Sequence, residues 1–356
     1  MTTETNIIIR KTEHSRVHPF VKDEIKFGTE MSDHMLICDY KDGKWGDPEI
    51  VPYENFSISP ATSFIHYGQA IFEGVKAYRQ NDGSVAVFRP EDNWKRLNVS
   101  AVRMDMPELP RDIFMEGLKQ LIALDEKWVP NEDGTSLYIR PFMFATDEFI
   151  GVRTSETYRF AIITSPAGAY YNKPVNIYVQ DQFVRAVKGG IGFTKAAGNY
   201  GASMYPSNEV KKKGYDQILW TDAVEHKYVQ EIGTMNVFFI VDGVALTPDL
   251  KSGTILAGVT RDSIIKLLKA NDIKVEERPI TIDELVQAHQ EGKLEEAFGS
   301  GTAASMSFIA SLTYQDKKLE LPKVEDWKVA PKIKELLDDI RYGRKDDEHG
   351  WTFKVN

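Results

Sequence analysis

The chain has 356 residues, 44 basic against 53 acidic, for a formal net charge of −9, a balance that argues against a binder of nucleic-acid phosphates. With 42% hydrophobic and 27% charged residues it has ordinary globular composition, and its length favours two domains with sizeable cores over disorder. One cysteine, Cys38, and the absence of a Cys/His cluster with zinc spacing leave no internal disulfide and no metal site. No apolar run approaches the roughly 20 residues of a membrane span, and the triplet Ile7, Ile8, Ile9 is too short for a signal-peptide core. A soluble cytoplasmic protein with no nucleic-acid or membrane partner is expected.

In chain order, Ala77 to Gln80 and Ser84 to Phe88 flank Asn81-Asp82-Gly83, and the Asp-Gly pair supplies the positive φ of a tight hairpin. Pro90 stands like a first-turn proline before a helix running to about Ala101. Ile113, Leu118, Leu121 and Ile122 form an apolar stripe at helical spacing, and strands are predicted over Leu137–Phe144 and Phe160–Thr164. The turn formers from Gly168 to Pro174 mark a domain boundary. A second hairpin follows at Phe238 to Leu246 around Asp242-Gly243. Ile264, Ile265, Leu267 and Leu268 then give a helical stripe, and Thr281-x-x-Glu284 reads as a capping box opening a helix that stops near Gly292. Hairpins and helices mixed in both halves imply an α+β fold with mixed sheets rather than a doubly wound parallel sheet.

Residues 188–201 place Lys195 among small residues that would let a planar ligand approach the backbone. A buried lysine there would lose its charge readily and offer a free amine to an aldehyde; on this stretch alone a flexible glycine-rich loop carrying a solvated lysine is the favoured reading. Neither a P-loop nor a dinucleotide fingerprint is present. Leu256 to Arg261 enters a helix through Gly258, which offers N–H groups and a favourable dipole to a phosphate. Phe298 to Ala304 is a second run of small and hydroxylated residues able to bind anion oxygens. Glu231 stands just before an apolar strand, where it is either a solvated strand-start acid or a carboxylate that keeps a pyridine nitrogen protonated. Arg96 lies on the helix after Pro90, exposed or clamping a phosphate.

Five segments in order, His66 to Tyr78, Ser136 to Pro141, Gly189 to Gly201, Glu231 to Asn236 and Phe298 to Ala303, make the chain resemble the branched-chain amino acid aminotransferases of pyridoxal-phosphate fold type IV. The likeness is to the longer subgroup that includes the animal enzymes, and it spans nearly the whole sequence. It implies a smaller N-terminal α/β domain over 1–170, a linker over 171–184 and a larger domain over 185–356 that binds pyridoxal 5'-phosphate. Lys195 is implied as the lysine that carries the cofactor and moves the substrate proton, with Glu231 at the pyridine nitrogen and Tyr200 at the phenolic oxygen. Arg96, Val259, Thr260 and Thr302 are implied at the phosphate. Tyr67, Phe72, Tyr138 and Tyr170 would wall an apolar substrate pocket, with Arg140 beside it and Thr234 near the ring. Thr302 and Ala303 would fix the α-carboxylate with the Tyr138 hydroxyl.

Ile150 and Val152 match positions that close the pocket from a partner subunit, which implies a homodimer. The implied reaction is a ping-pong exchange of the amino group between L-leucine, L-isoleucine or L-valine, with their 2-keto acids, and the pair glutamate and 2-oxoglutarate. A D-amino acid aminotransferase or an aminodeoxychorismate lyase shares a comparable lysine and acid, and a non-catalytic binding protein could keep the fold. The chain departs from those animal members that have a Cys-x-x-Cys redox pair after the Gly-Thr-Ala run. It has Ala304 and Ser307 there, so thiol regulation of that kind is not expected.

Overall fold

The computed structural model describes residues 6–168 and 173–355, and the chain divides into two compact units. One comprises residues 1–170, 194–197 and 340–356; the other comprises 171–193 and 198–339. In the first unit, the strands run from edge to edge as Ile8–Ile9, Glu49–Pro52, His34–Lys41, Tyr158–Ala167, Ser136–Ala145, Val75–Arg79, Val85–Phe88 and Thr352–Lys354. Lys44–Trp45 adds to His34–Lys41, and Ala70–Phe72 adds to Ser136–Ala145. Ile8–Ile9 pairs in parallel with its neighbour and the other pairs are antiparallel. The expected hairpin forms, with Ala77 opposite Val87 and Gly83 at φ +83°.

Helices α1 (Ser63–Tyr67), α2 (Pro90–Arg103) and α3 (Arg111–Leu124) belong to this unit. Pro90 opens α2, where its missing N–H costs nothing because the first-turn donors have no helical acceptor. α3 buries Ile113, Leu118, Leu121 and Ile122, the stripe read from spacing. They pack into a core that includes Leu36, Trp128, Phe114 and Phe160, all essentially inaccessible to water. Each such side chain contributes about 1.5–3 kcal/mol by leaving water.

The second unit has a mixed sheet in the order Val229–Ile232, Gln217–Thr221, Val175–Val179, Ser305–Tyr314, Leu294–Gly301, Asn236–Val241, Val244–Thr247 and Val275–Glu277, with Lys317–Glu320 added to Ser305–Tyr314. Val175–Val179 is parallel to both neighbours, and Val244–Thr247 is parallel to Val275–Glu277. The hairpin at Asp242-Gly243 closes with φ +50° and +72° at its two turn residues, the left-handed pair that this tight turn demands. Helices α4 (Ala197–Lys212), α5 (Val259–Ala270), α6 (Ile282–Gln290) and α7 (Ala330–Arg341) complete the elements. Thr281 caps α6 by accepting the Glu284 N–H at 3.1 Å, while the Glu284 carboxylate pairs with Arg278. Among the described residues no helix is long and apolar enough to cross a membrane.

Two local readings change. The glycine-rich stretch becomes helix from Ala197 onward, so Gly198, Asn199, Tyr200 and Gly201 lie in α4. Glu231 is not a strand-start residue but the third of four buried residues in Val229–Ile232. That strand turns back at Gly233-Thr234 through reciprocal Ile232–Met235 backbone hydrogen bonds of 2.9 and 2.8 Å, with Gly233 at φ +56°. The apolar run that follows is a separate strand, because a two-residue turn suffices to reverse the chain.

Candidate active site

In the first unit, Lys195 precedes α4 and its backbone is tied on both sides. Its N–H donates to the buried Ser100 hydroxyl on α2 at 3.0 Å, and its carbonyl accepts the Phe72 N–H at 3.1 Å. Ala196 makes a bridge to Ile71. Lys195 is therefore fixed to structure, not carried on a loose loop. Its Nζ lies 5.0 Å from the centre of the Phe72 ring, and the Arg140 guanidinium lies 4.6 Å from the same ring. Arg140 also donates to the Tyr138 hydroxyl at 2.8 Å. Alternation along Ser136–Ala145 puts Tyr138, Arg140, Phe142 and Phe144 on one face of the sheet.

That face borders an apolar cavity of about 390 Å³ lined by Phe72, Arg140, Phe56, Phe64, Phe142 and Phe144 among others. Of the residues expected at a substrate pocket, Phe72 and Arg140 line this cavity, whereas Tyr67 and Tyr138 do not. Phe56, Phe64, Phe142 and Phe144 were missed, although the period-two run from Tyr138 already pointed to Phe142 and Phe144. Tyr67 is 40% exposed, and Ile150 and Val152 are 70% and 90% exposed. Tyr170 lies outside the described residues.

The same unit contains a carboxylate that sequence reasoning passed over. Glu73 is wholly buried in the connection after Ala70–Phe72. Its two oxygens accept the Arg96 Nε–H and Nη2–H at 2.7 and 2.8 Å, and one of them also accepts from Asn93 at 2.8 Å and from the Gly74 N–H at 3.1 Å. Burial alone would push this carboxyl up, but the Arg96 charge and hydrogen bonds, the Lys195 charge and the Asn93 bond hold it below the usual carboxylate range. Arg96 thus spends its side-on edge on Glu73, and a phosphate would meet the end-on edge of the guanidinium.

In the second unit, Glu231 is buried, and its Oε1 accepts the Leu256 N–H at 2.7 Å. The Leu256 carbonyl in turn accepts from Asn236 at 2.9 Å, so both polar backbone groups of Leu256 are held two residues before Gly258 opens α5. Arg185, also missed, brings its Nε to 3.3 Å from the other Glu231 oxygen and donates to the carbonyls of Gly192 and Thr254. Val259 and Thr260 form the first buried turn of α5, whose N-cap Gly258 has no side chain with which to cap those donors. Thr302 and Ala303 sit in the turn between Leu294–Gly301 and Ser305–Tyr314. Thr234 is exposed, and Tyr200 is half-buried on α4.

The pattern of amino-transferase class IV matches residues 70–312. "Branched-chain-amino-acid aminotransferase 2" of Bacillus subtilis (strain 168) is 48% identical over 337 residues, which cover 94% of this chain and 93% of that protein. Among solved structures, the branched-chain aminotransferase of Thermoproteus uzoniensis with norvaline superposes with a TM-score of 0.76 at 25% identity, covering 91% of this chain and 100% of the other. The branched-chain amino acid aminotransferase from Escherichia coli superposes with a TM-score of 0.74 at 27% identity, covering 91% of this chain and 99% of that one. With a buried carboxylate in each unit, a lysine anchored beside an aromatic cavity and this likeness along nearly its whole length, the chain belongs to the class IV aminotransferases, in their branched-chain-amino-acid group.

Proposed function

We propose that the protein exchanges the amino group reversibly between L-leucine, L-isoleucine or L-valine and 2-oxoglutarate, using pyridoxal 5'-phosphate. The observation that carries this reading is the cavity beside Phe72: its aromatic walls suit a branched aliphatic side chain, and Arg140 at its edge suits the second carboxylate of glutamate. An apolar wall distinguishes a methylene by only about 1–3 kcal/mol, so tolerance among the three substrates is expected.

The residues fit the cofactor's chemistry. Glu231 is a fixed, buried acceptor for a protonated ring nitrogen, held by Leu256 and Arg185. Gly258 leaves room for the Asn236 side chain that holds Leu256, since a Cβ there would lie 2.0 Å from the Asn236 oxygen. Lys195 would hold the aldehyde, Tyr200 the phenolic oxygen, and Arg96, Val259, Thr260 and Thr302 the phosphate. When bound, this cofactor supplies an electron sink. The chain's own part is then acid–base and positional: Lys195 Nζ takes the proton from the substrate Cα and returns it, while Glu231 keeps the ring cationic.

Tyr138, Thr302 and Ala303 would orient the α-carboxylate, with Tyr67, Thr234 and Tyr170 near the substrate. The exposed Ile150 and Val152 support a homodimer in which they meet the partner's pocket, and the lone buried cysteine suits a reducing cytoplasm. Turnover of L-leucine with 2-oxoglutarate is the expected result of the decisive assay. Turnover of D-alanine in its place would shift the reading to a D-amino acid aminotransferase. Borohydride fixation of the cofactor followed by peptide mapping should find the label on Lys195, and a label on any other lysine would overturn the site.

A further inference from the structure

The unit that carries Lys195 has a second ionised group that the proposed chemistry does not use. Glu73 has no exposed surface, and its oxygens take four hydrogen bonds, two of them from Arg96. Burying such a pair costs several kcal/mol of desolvation per ion, and an apolar pair of similar volume would stabilise a core at least as well. Its place in the chain points to a use beyond packing. Glu73 directly follows Phe72, whose N–H is bonded to the Lys195 carbonyl and whose ring lies 5.0 Å from Lys195 Nζ. On its other side the carboxylate grips the side-on edge of Arg96. One anion therefore touches the arginine assigned to the phosphate and bears by its charge on the lysine assigned to the aldehyde.

We infer that Glu73 is a positioning residue that acts through both neighbours, locking the Arg96 guanidinium for the cofactor phosphate and providing the negative charge against which Lys195 works. This rests on the proposed roles of Lys195 and Arg96. The charged groups named beside Glu73 are Arg96 from α2, Lys195 from the segment before α4, Arg140 across the Phe72 ring from the strand Ser136–Ala145, and the buried Lys76, which pairs with Tyr138 from the neighbouring strand. Glu73 bears a negative charge directly on Arg96 and through space on Lys195, so its removal takes that charge away from both. Arg96 in its turn is the cation that does most to hold Glu73 ionised; without it the Lys195 charge and the Asn93 bond remain to keep the carboxylate, which then acts on Lys195 with no arginine to offset it.

The test uses the whole protein with pyridoxal 5'-phosphate and follows the visible band of the lysine-bound cofactor against pH. Glu73→Gln keeps the side-chain shape and one acceptor oxygen. It should lower the pH midpoint of that band by about one unit and weaken cofactor binding to the apoprotein, read by fluorescence titration, by about tenfold. Arg96→Gln, measured at saturating cofactor, should move the midpoint the opposite way. Opposite midpoint shifts show that both charges reach Lys195, and the loss of cofactor affinity in a folded Glu73→Gln protein is what a pair that serves packing alone would not give. An unshifted midpoint and unchanged affinity in a folded Glu73→Gln protein would overturn the inference. Should that variant not fold, the Arg96→Gln midpoint decides, and no upward shift sinks it. Absence of the band in the unaltered protein would instead strike at the roles proposed for Lys195 and the cofactor.

Discussion

Cys38 shows how burial sets the chemistry of a single side chain. Only 2% of it is exposed, its thiol faces the Gly46 carbonyl at 3.3 Å, and burial together with the charges of Asp39 and Asp47 pushes its pKa up to about 12. The thiolate is the reactive species, so native protein should react with a thiol reagent at least about 100-fold more slowly than the unfolded chain. Activity should likewise resist mild peroxide; a thiol-reversible loss would contradict this. At this scale Lys195 and Glu231 stood out as candidates because small residues and family motifs surround them. Glu73 and Arg185 were not legible as partners. Glu73 meets Arg96 23 positions away and Arg185 meets Glu231 46 positions away, and no local pattern announces such pairs. Arg96 itself was expected to offer its fork to phosphate, yet a nearer carboxylate already fills one edge of it.

At the level of elements, the hairpins and the stripes of α3 and α5 were readable because turn chemistry and hydrophobic spacing act within a few residues. The short strand holding Glu231 escaped notice because Gln230 and Glu231 leave it without an apolar pattern, so that the apolar strand starting at Asn236 drew the reading instead. The start of α4 inside a glycine-rich stretch was hidden by the low helix propensity of glycine, which tertiary ties at Asn199 and Ala196 override. The entry to α5 gives a test at this scale. A Cβ on Gly258 would lie 2.0 Å from the Asn236 oxygen, and Asn236 holds Leu256, which in turn holds Glu231. Gly258→Ala should therefore both destabilise the fold by about 1–3 kcal/mol and weaken cofactor binding, read as a lower Tm and a higher Kd. A variant with unchanged affinity would show that the Asn236 to Glu231 chain is dispensable.

For the whole molecule, the surface poses a balance between apolar attraction and charge. The first unit exposes Ile65, Tyr67, Phe149, Ile150 and Val152, with Val152 at 90% of its full exposure, whereas each copy carries a net charge of −9. Two like-charged copies repel, and raising salt from about 0.05 M to 0.5 M shortens the reach of that repulsion from above 10 Å to below 8 Å. Apolar contact is not weakened by the same change. The proposed dimer should accordingly persist or tighten as salt rises, whereas an association built on ion pairs would loosen. Val152→Asp places a charge where an apolar contact is expected, and it should shift the protein toward monomer in sedimentation velocity at micromolar concentration. It should also raise KM for L-leucine, because in a shared site the substrate pocket loses the wall its partner supplies. Sedimentation of the unaltered protein as a monomer, or its dissociation in high salt, would remove the homodimer from this account and leave the pocket to be closed by the chain's own residues.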